Sequence, residues 1–164
     1  MPKSLPVLVN PHPLLRQRAQ EVTSETLAQL RREGFIDDLV KTMQVEDGVG
    51  IAAIQVGYLH RIIVVQEGMR VRVYINPTIS SRSLRRESDV EGCLSVPGVV
   101  GTVRRARSCT LKALDVDGKL VVRKARGLVA RIYQHEVDHL DGVLFIDRAE
   151  RVVAYDPQKE TPKV

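Results

Sequence analysis

The sequence reads as one domain that mixes helices with β-hairpins, and three observations predict it. Its 164 residues, 43% apolar and 27% charged, suffice for a single buried core without disulfides. Apolar residues recur at helical spacing in two stretches, one following Ser24 and one following Gly127. Two β-rich pairs, residues 61–66 with 71–76 and residues 108–115 with 119–123, are each joined by a tight-turn signal, Glu67-Gly68 and Asp117-Gly118.

Taken in order, Asn10-Pro11-His12-Pro13 opens the chain as an extended or turning segment, because a residue before proline is pushed out of the helical region. His12 there is structural or exposed. A helix is expected from Ser24, whose hydroxyl can cap it, with Leu27, Leu30, Ile36, Leu39, Val40 and Met43 as its apolar stripe, Gly34 weakening the middle and the end before Gly48. In Gly48-Val49-Gly50-Ile51-Ala52-Ala53-Ile54-Gln55 the glycines permit close backbone approach, and Gln55 is a polar amide in an apolar run that needs a partner. Taken alone this is a turn packed against the core, and no third glycine follows to make a dinucleotide fingerprint. Asn76-Pro77 is expected to close the second strand, and the arginine-rich residues 80–88 to form a loop. Cys93, in Glu91-Gly92-Cys93-Leu94-Ser95, reads by itself as a buried structural thiol, and Cys109 as core. From Gly127, the positions Leu128, Ile132, His135, Glu136 and His139 keep helical spacing with no further glycine or proline before Gly142, which ends the helix. Residues 143–146 read as a short strand and 157–164 as a mobile polar tail.

Two cysteines give no disulfide framework and fit a reducing compartment, where a thiol near a metal motif becomes a ligand candidate. No signal peptide, transit peptide or membrane-spanning run is legible, so a cytoplasmic location is expected. The net charge of +5 gathers at Arg82, Arg85 and Arg86, at Arg104, Arg105 and Arg107, and at Arg123, Lys124 and Arg126, but aromatics are only 4% and do not interleave. A solvated basic face with weak attraction to an RNA-rich particle is expected, and no DNA binding.

The chemistry concentrates in Gln134-His135-Glu136-Val137-Asp138-His139. Side chains four apart on a helix are rotated by only about 40°, so both imidazoles reach one cation while Glu136 faces the water that the cation acidifies. The pentapeptide alone is equally compatible with an amphipathic helix that happens to hold two histidines.

Three separated stretches, Gly48 to Gln55, Glu91-Gly92-Cys93-Leu94-Ser95 and His135-Glu136-Val137-Asp138-His139, together resemble the three signature motifs of peptide deformylases. His12-Pro13-Leu14-Leu15-Arg16, Asn76-Pro77 and Gly142-Val143-Leu144-Phe145-Ile146-Asp147 are similar to that family too, so the resemblance covers nearly the whole chain. It implies an α+β fold, with mixed or antiparallel sheets around a central metal-binding helix, in a monomeric hydrolase that removes the formyl group from formyl-methionine of new polypeptides. It also implies the metal ligands Cys93, His135 and His139, for one divalent ion, Fe2+ expected with Zn2+, Ni2+ or Co2+ able to substitute. Glu136 would move the proton, while the Gln55 amide and the Leu94 N–H would hold the oxyanion. Val49, Leu128 and Ile132 would receive the methionine side chain, and Gly50 and Gly92 would leave room for the peptide backbone to pair as an added strand.

Three departures accompany the resemblance. Val100 stands where many members carry an arginine thought to touch the peptide beyond methionine. Arg131 stands where some have an apolar pocket residue, and its stem is expected to line the pocket with the charge turned outward. The chain's end is shorter than in members with a long basic helix used near the ribosome. Arg105 matches an arginine expected to pair with Glu91. Two other functions share parts of this pattern: a zinc peptidase, which normally takes His or Glu as third ligand and gives Gln55 no duty, and a basic non-enzymatic module whose structural metal site would need Cys109, His60 or His12 as fourth ligand.

Overall fold

Residues 1–156 are described by the structure, a computed structural model. The expected helix from Ser24 is two helices, α1 (Ser24–Arg32) and α2 (Phe35–Val45), because Gly34 takes φ 77° and turns the chain between them. The cap is Thr23 rather than Ser24: its side chain accepts the Thr26 N–H at 3.2 Å. A short strand β1 (Gly50–Ala52) runs into one 3-10 turn (Ala53–Val56).

The first hairpin joins β2 (Ile62–Glu67) to β3 (Arg70–Arg82). Asn76-Pro77 does not close β3; the register shifts between Ile75 and Thr78 and the strand continues. A bulge there leaves Pro77 outside the hydrogen-bonded pairs, which is how a proline is tolerated within a strand. The expected loop at 80–88 is instead the end of β3 and the start of β4 (Arg86–Glu91), which pairs with β5 (Val99–Ala106). Charged side chains on the solvent side of β4 and β5 mask their alternation in the sequence. The second expected hairpin is present as β6 (Ser108–Leu114) and β7 (Leu120–Arg126), followed directly by α3 (Gly127–Leu140). Residues 143–146 are not a strand, since Phe145–Asp147 form a 3-10 turn stabilised by the Asp147 carboxylate accepting the Leu144 N–H at 2.8 Å. A further strand, β8 (Ala149–Ala154), pairs with β5. The expected tail at 157–164 lies outside the described residues.

Among the described residues every strand pair is antiparallel, in sheets ordered β1-β2-β3-β6-β7 and β4-β5-β8, and a parallel contact occurs only as the isolated bridge between Gln20 and His60. α3 lies on the inner face of the larger sheet, with Ala130, Ile132, Tyr133, Val137 and Leu140 packed on Ile63, Val65, Tyr74, Cys109 and Leu111. On the opposite face α1 and α2 cover Ile62, Val64 and Ile75 through Leu27, Leu30, Ile36, Leu39 and Met43. Arg61 fixes the end of α3 from below: it donates to Leu140 O at 3.2 Å and to the Asp141 carboxylate at 2.8 Å. No helix among the described residues is long and apolar enough to cross a membrane.

Candidate active site

α3 presents His135 and His139 one turn apart, with their Nε2 atoms 3.2 Å from each other. The turn after β4 brings Cys93 Sγ to 3.2 Å from His139 Nε2, and all three donor atoms lie within 4.8 Å of one another. A tetrahedral cation with bonds of about 2.0–2.3 Å holds its donors roughly 3.3–3.6 Å apart, so this donor set fits a divalent metal with one position left open. Among the described residues no other Cys, His, Asp or Glu joins the group. Cys109, a candidate fourth ligand by sequence, is buried against Ala130 O at 3.7 Å; His12 Nδ1 accepts the Leu14 N–H, and His60 sits beside Tyr58.

The ring of His135 is oriented from behind. Its Nδ1 lies 2.9 Å from Glu91 Oε2, which leaves Nε2 to face the donor cluster. Glu91 is itself gripped by Arg105, at 2.7 and 2.9 Å, and by Arg131 at 2.8 Å, while Arg105 and Arg148 both donate to Asp138 at 2.6 Å. Burial alone would raise the Glu91 carboxyl, but Arg105 and His135 outweigh it and hold the group well below the usual carboxylate range. The pairing of Arg105 with Glu91 is thus as expected. Arg131 is a correction: its guanidinium does not turn outward but is buried, donating to Glu91, Val103 O and Glu87 O. A buried carboxylate and two backbone carbonyls give that charge a better setting than a half-apolar rim would.

Burial by itself would depress the His135 imidazolium, yet Cys93 Sγ and Glu91 reverse this and raise it to about 10. His139 moves the other way, lowered by burial and by its neighbour His135.

A cleft of about 750 Å³ opens over this cluster. Val49, Gly50, Gln55, Gly92, Cys93, Leu94, Leu128, Arg131, Ile132, His135 and Glu136 all line it; His139, nearly fully buried, lies beneath. Glu136 is buried, its Oε2 has no hydrogen-bond partner among the described residues, and burial pushes its carboxyl up to about 7. A Cβ at Gly50 would overlap that carboxylate, so the absence of a side chain at Gly50 makes room for Glu136. Gln55 has the partners its burial demanded: Oε1 accepts the Ala52 N–H at 2.8 Å, and Nε2 donates to Ser95 Oγ at 3.1 Å and points at Cys93 Sγ from 3.6 Å. Of the side chains expected to receive methionine, Ile132 is buried, whereas Leu128 and Val49 are exposed at the rim, 63% and 51%.

Several lining residues were not anticipated. Glu46 and Asp47 form an acidic lip beside Gly48, and Tyr155, whose N–H bonds Gly98 O at 2.9 Å, closes the opposite side with Val99 and Val100. Tyr155 had no local signal because it reaches the cleft only through the pairing of β8 with β5. Glu91 as partner of His135 was equally hidden, although its place two residues before Cys93 was a usable clue.

Comparison with known proteins agrees with this geometry. The polypeptide deformylase family model matches residues 4–154. Peptide deformylases of Pelotomaculum thermopropionicum and Dictyoglomus thermophilum are 42% and 48% identical to the chain, over 90% and 84% of it and 92% and 87% of their own lengths. Among solved structures, the Met-Ala-Ser-bound class I type b peptide deformylase of Acinetobacter baumannii superposes with a TM-score of 0.86 at 37% identity, covering 90% of this chain and 99% of that one. The Thermotoga maritima peptide deformylase gives 0.83, also at 37% identity, with the same coverage.

Proposed function

The chain belongs to the polypeptide deformylase family, metal-dependent hydrolases that remove the N-terminal formyl group, and from that premise we propose how its own residues divide the work. The observation that carries the reading is the convergence of Cys93, His135 and His139 beneath a cleft in which a buried, unpartnered Glu136 oxygen waits for a proton. Cys93, His135 and His139 hold one divalent ion. When bound, it acidifies a water and polarises the formyl oxygen as a Lewis acid.

Glu136 takes the proton of the attacking water at its free carboxylate oxygen. The water oxygen bonds to the formyl carbon, and Gln55 Nε2 and the Leu94 N–H donate to the oxyanion as charge develops. Glu136 then returns the proton to the amine nitrogen, the C–N bond breaks, and formate and a free N-terminus leave. Ile132, with Leu128 and Val49 at the rim, receives the methionine side chain. The Arg131 stem extends that wall while Glu91 neutralises its charge. Gly92 leaves the backbone of β4's end open to the peptide, in keeping with the Met-Ala-Ser peptide bound by the Acinetobacter enzyme.

The metal is Fe(II), with zinc, nickel or cobalt able to take the same ligands, since a thiolate with two imidazoles serves all four. The chain acts as one catalytic domain and as a monomer, on formyl-methionyl nascent peptides in the cytoplasm, with at most weak proximity to the ribosome.

The test is formate release from a formyl-methionyl peptide by protein purified without oxygen and loaded with iron(II), beside Glu136→Ala. Fast release by the parent and a loss of about 10²–10⁴-fold in the variant, with metal retained, is the expected result. A folded, metal-loaded parent that releases no formate overturns the reading.

A further inference from the structure

α1 and α2 cover only part of the outer face of the five-stranded sheet. Where they pack, that face is apolar, with Ile62, Val64 and Ile75. Beyond them its composition changes. The residues of β6 that point away from α3 are Ser108, Thr110 and Lys112, alternating with the buried Cys109, Leu111 and Ala113. The register sets them in rows across three strands: Thr78, Lys112 and Val122; Ser81, Thr110 and Lys124; then Ser108 beside Arg126, with the Ser83 N–H on Ser108 O at 2.9 Å. Lys112, Lys124 and Arg126 are exposed, and among the described residues none is in an ion pair. These rows hold no acidic side chain. None of their residues lines the catalytic cleft.

We propose that this uncovered half-face binds the phosphate backbone of RNA. Unpaired cations separated by hydroxyls are the side chains that contact phosphate and sugar oxygens. Alternate residues on a strand lie about 6.7 Å apart and neighbouring strands about 4.8 Å, a lattice on the scale of successive phosphates. Thr110 Oγ1 accepts from Ser81 Oγ at 2.9 Å, which leaves its own proton for an outside acceptor. No aromatic side chain stands in these rows, so bases are not read by stacking and recognition is independent of sequence. Hydroxyls between the cations suit the 2′-OH of RNA. A lipid surface would call for a broad apolar patch there, and β7 supplies only Leu120 and Val122 at one end of the face, beside Lys124 and Arg126. The choice of RNA over other polyanions also rests on the deformylase reading, whose substrate is a chain under synthesis.

The experiment titrates the metal-loaded full chain into a labelled RNA duplex, a DNA duplex of the same sequence and phosphatidylserine vesicles, across a series of salt concentrations. Lys112→Glu/Lys124→Glu and, on the opposite side of the sheet's covering layer, Lys41→Glu are compared with the parent. The expected result is RNA binding whose log–log salt slope is about −3, weakened at least about tenfold and flattened by about two units in Lys112→Glu/Lys124→Glu, and unchanged in Lys41→Glu. All three proteins should release formate from a short formyl-methionyl peptide at the parent's rate. Absence of RNA binding at about 50 mM salt, equal binding by the double variant, equal affinity for DNA, or binding to vesicles in place of RNA each overturns the proposal. If RNA is bound as expected but no formate is released, the deformylase reading fails and the RNA-binding face does not.

Discussion

Glu91 connects the chemistry to the core, because one carboxylate orients His135 and neutralises both Arg105 and Arg131. Glu91→Gln keeps the shape and removes the charge. The variant should bind metal about 10–100-fold more weakly, read by competition with a chelator, since the partner that fixes the His135 ring is lost. It should also be less stable at neutral pH by about 3–5 kcal/mol, read from denaturant midpoints, because the buried Arg131 loses its counter-charge and the buried Arg105 is left with Asp138 alone. The pH dependence has a definite sign. A carboxyl whose folded pKa is depressed contributes its full stability above its ordinary value of 4.5 and loses it as pH falls below that. Parent and variant should therefore converge in stability as the pH is lowered from 5 towards 3. At this scale the two histidines and Glu136 were legible, being neighbours on one helix whose period is known. Gln55 stood out as a polar amide in an apolar run and Cys93 as a thiol in a chain with a metal motif, but their roles came only through resemblance to a family, and the inward turn of Arg131 was not legible at all. Its partner Glu91 lies 40 positions earlier, and spacing within a helix says nothing of such a contact.

The elements that sequence periodicity found, the two hairpins and α3, have either a tight turn or a clean apolar stripe. Those it missed, β4, β5 and β8, form the second sheet, where charged residues such as Arg104 and Arg151 alternate with a narrow apolar face. β5 also contains Gly101, a residue that sequence rules take as strand-weakening. The structure gives its reason. A Cβ at Gly101 would come within 2.9 Å of Ala149 Cβ, 3.0 Å of Phe145 and 3.1 Å of the Arg151 carbonyl, so β8 and the 3-10 turn before it close over this position. Gly101→Ala should therefore cost about 1–3 kcal/mol by overpacking, seen as a lower denaturant midpoint with an unchanged m-value. Gly50→Ala acts on a different element and through a different neighbour. Its Cβ would press on the Glu136 carboxylate and on Ile132 Cγ2, at 2.9 Å, so formate release should fall by at least about tenfold while stability changes less than in Gly101→Ala.

In the whole molecule two strands of the smaller sheet, β4 and β5, are an insertion, and the third, β8, comes from the stretch after α3. The chain leaves the larger sheet after β3, builds β4 and β5, and returns to pair β6 with β3. The core that this second sheet shares with the 3-10 turn is small, built on the buried Val96, Val103, Leu144 and Phe145. What else fastens it to α3 is polar: the Glu91, Arg105, Asp138 and Arg131 network, and the metal ligands, with Cys93 on the insertion and His135 and His139 on the helix. A metal ion held by those three residues is thus a cross-link between the two parts of the fold. At a free metal concentration about 1,000 times the dissociation constant it adds about 4 kcal/mol. Chelation should then lower the melting temperature by roughly 8–16 °C for a chain of this size. The loss should also be local. Amide exchange should accelerate most in β4, β5 and β8, and least in β2 and the first half of β3, which lie between α3 and the α1–α2 layer, and in β6, whose inner face lies against α3, without help from the metal. Cys93→Ala, which removes the ligand on the insertion's side, should show the accelerated pattern already and respond little to chelator. If chelation loosens both sheets equally, the metal acts on global stability alone and the cross-link account is wrong.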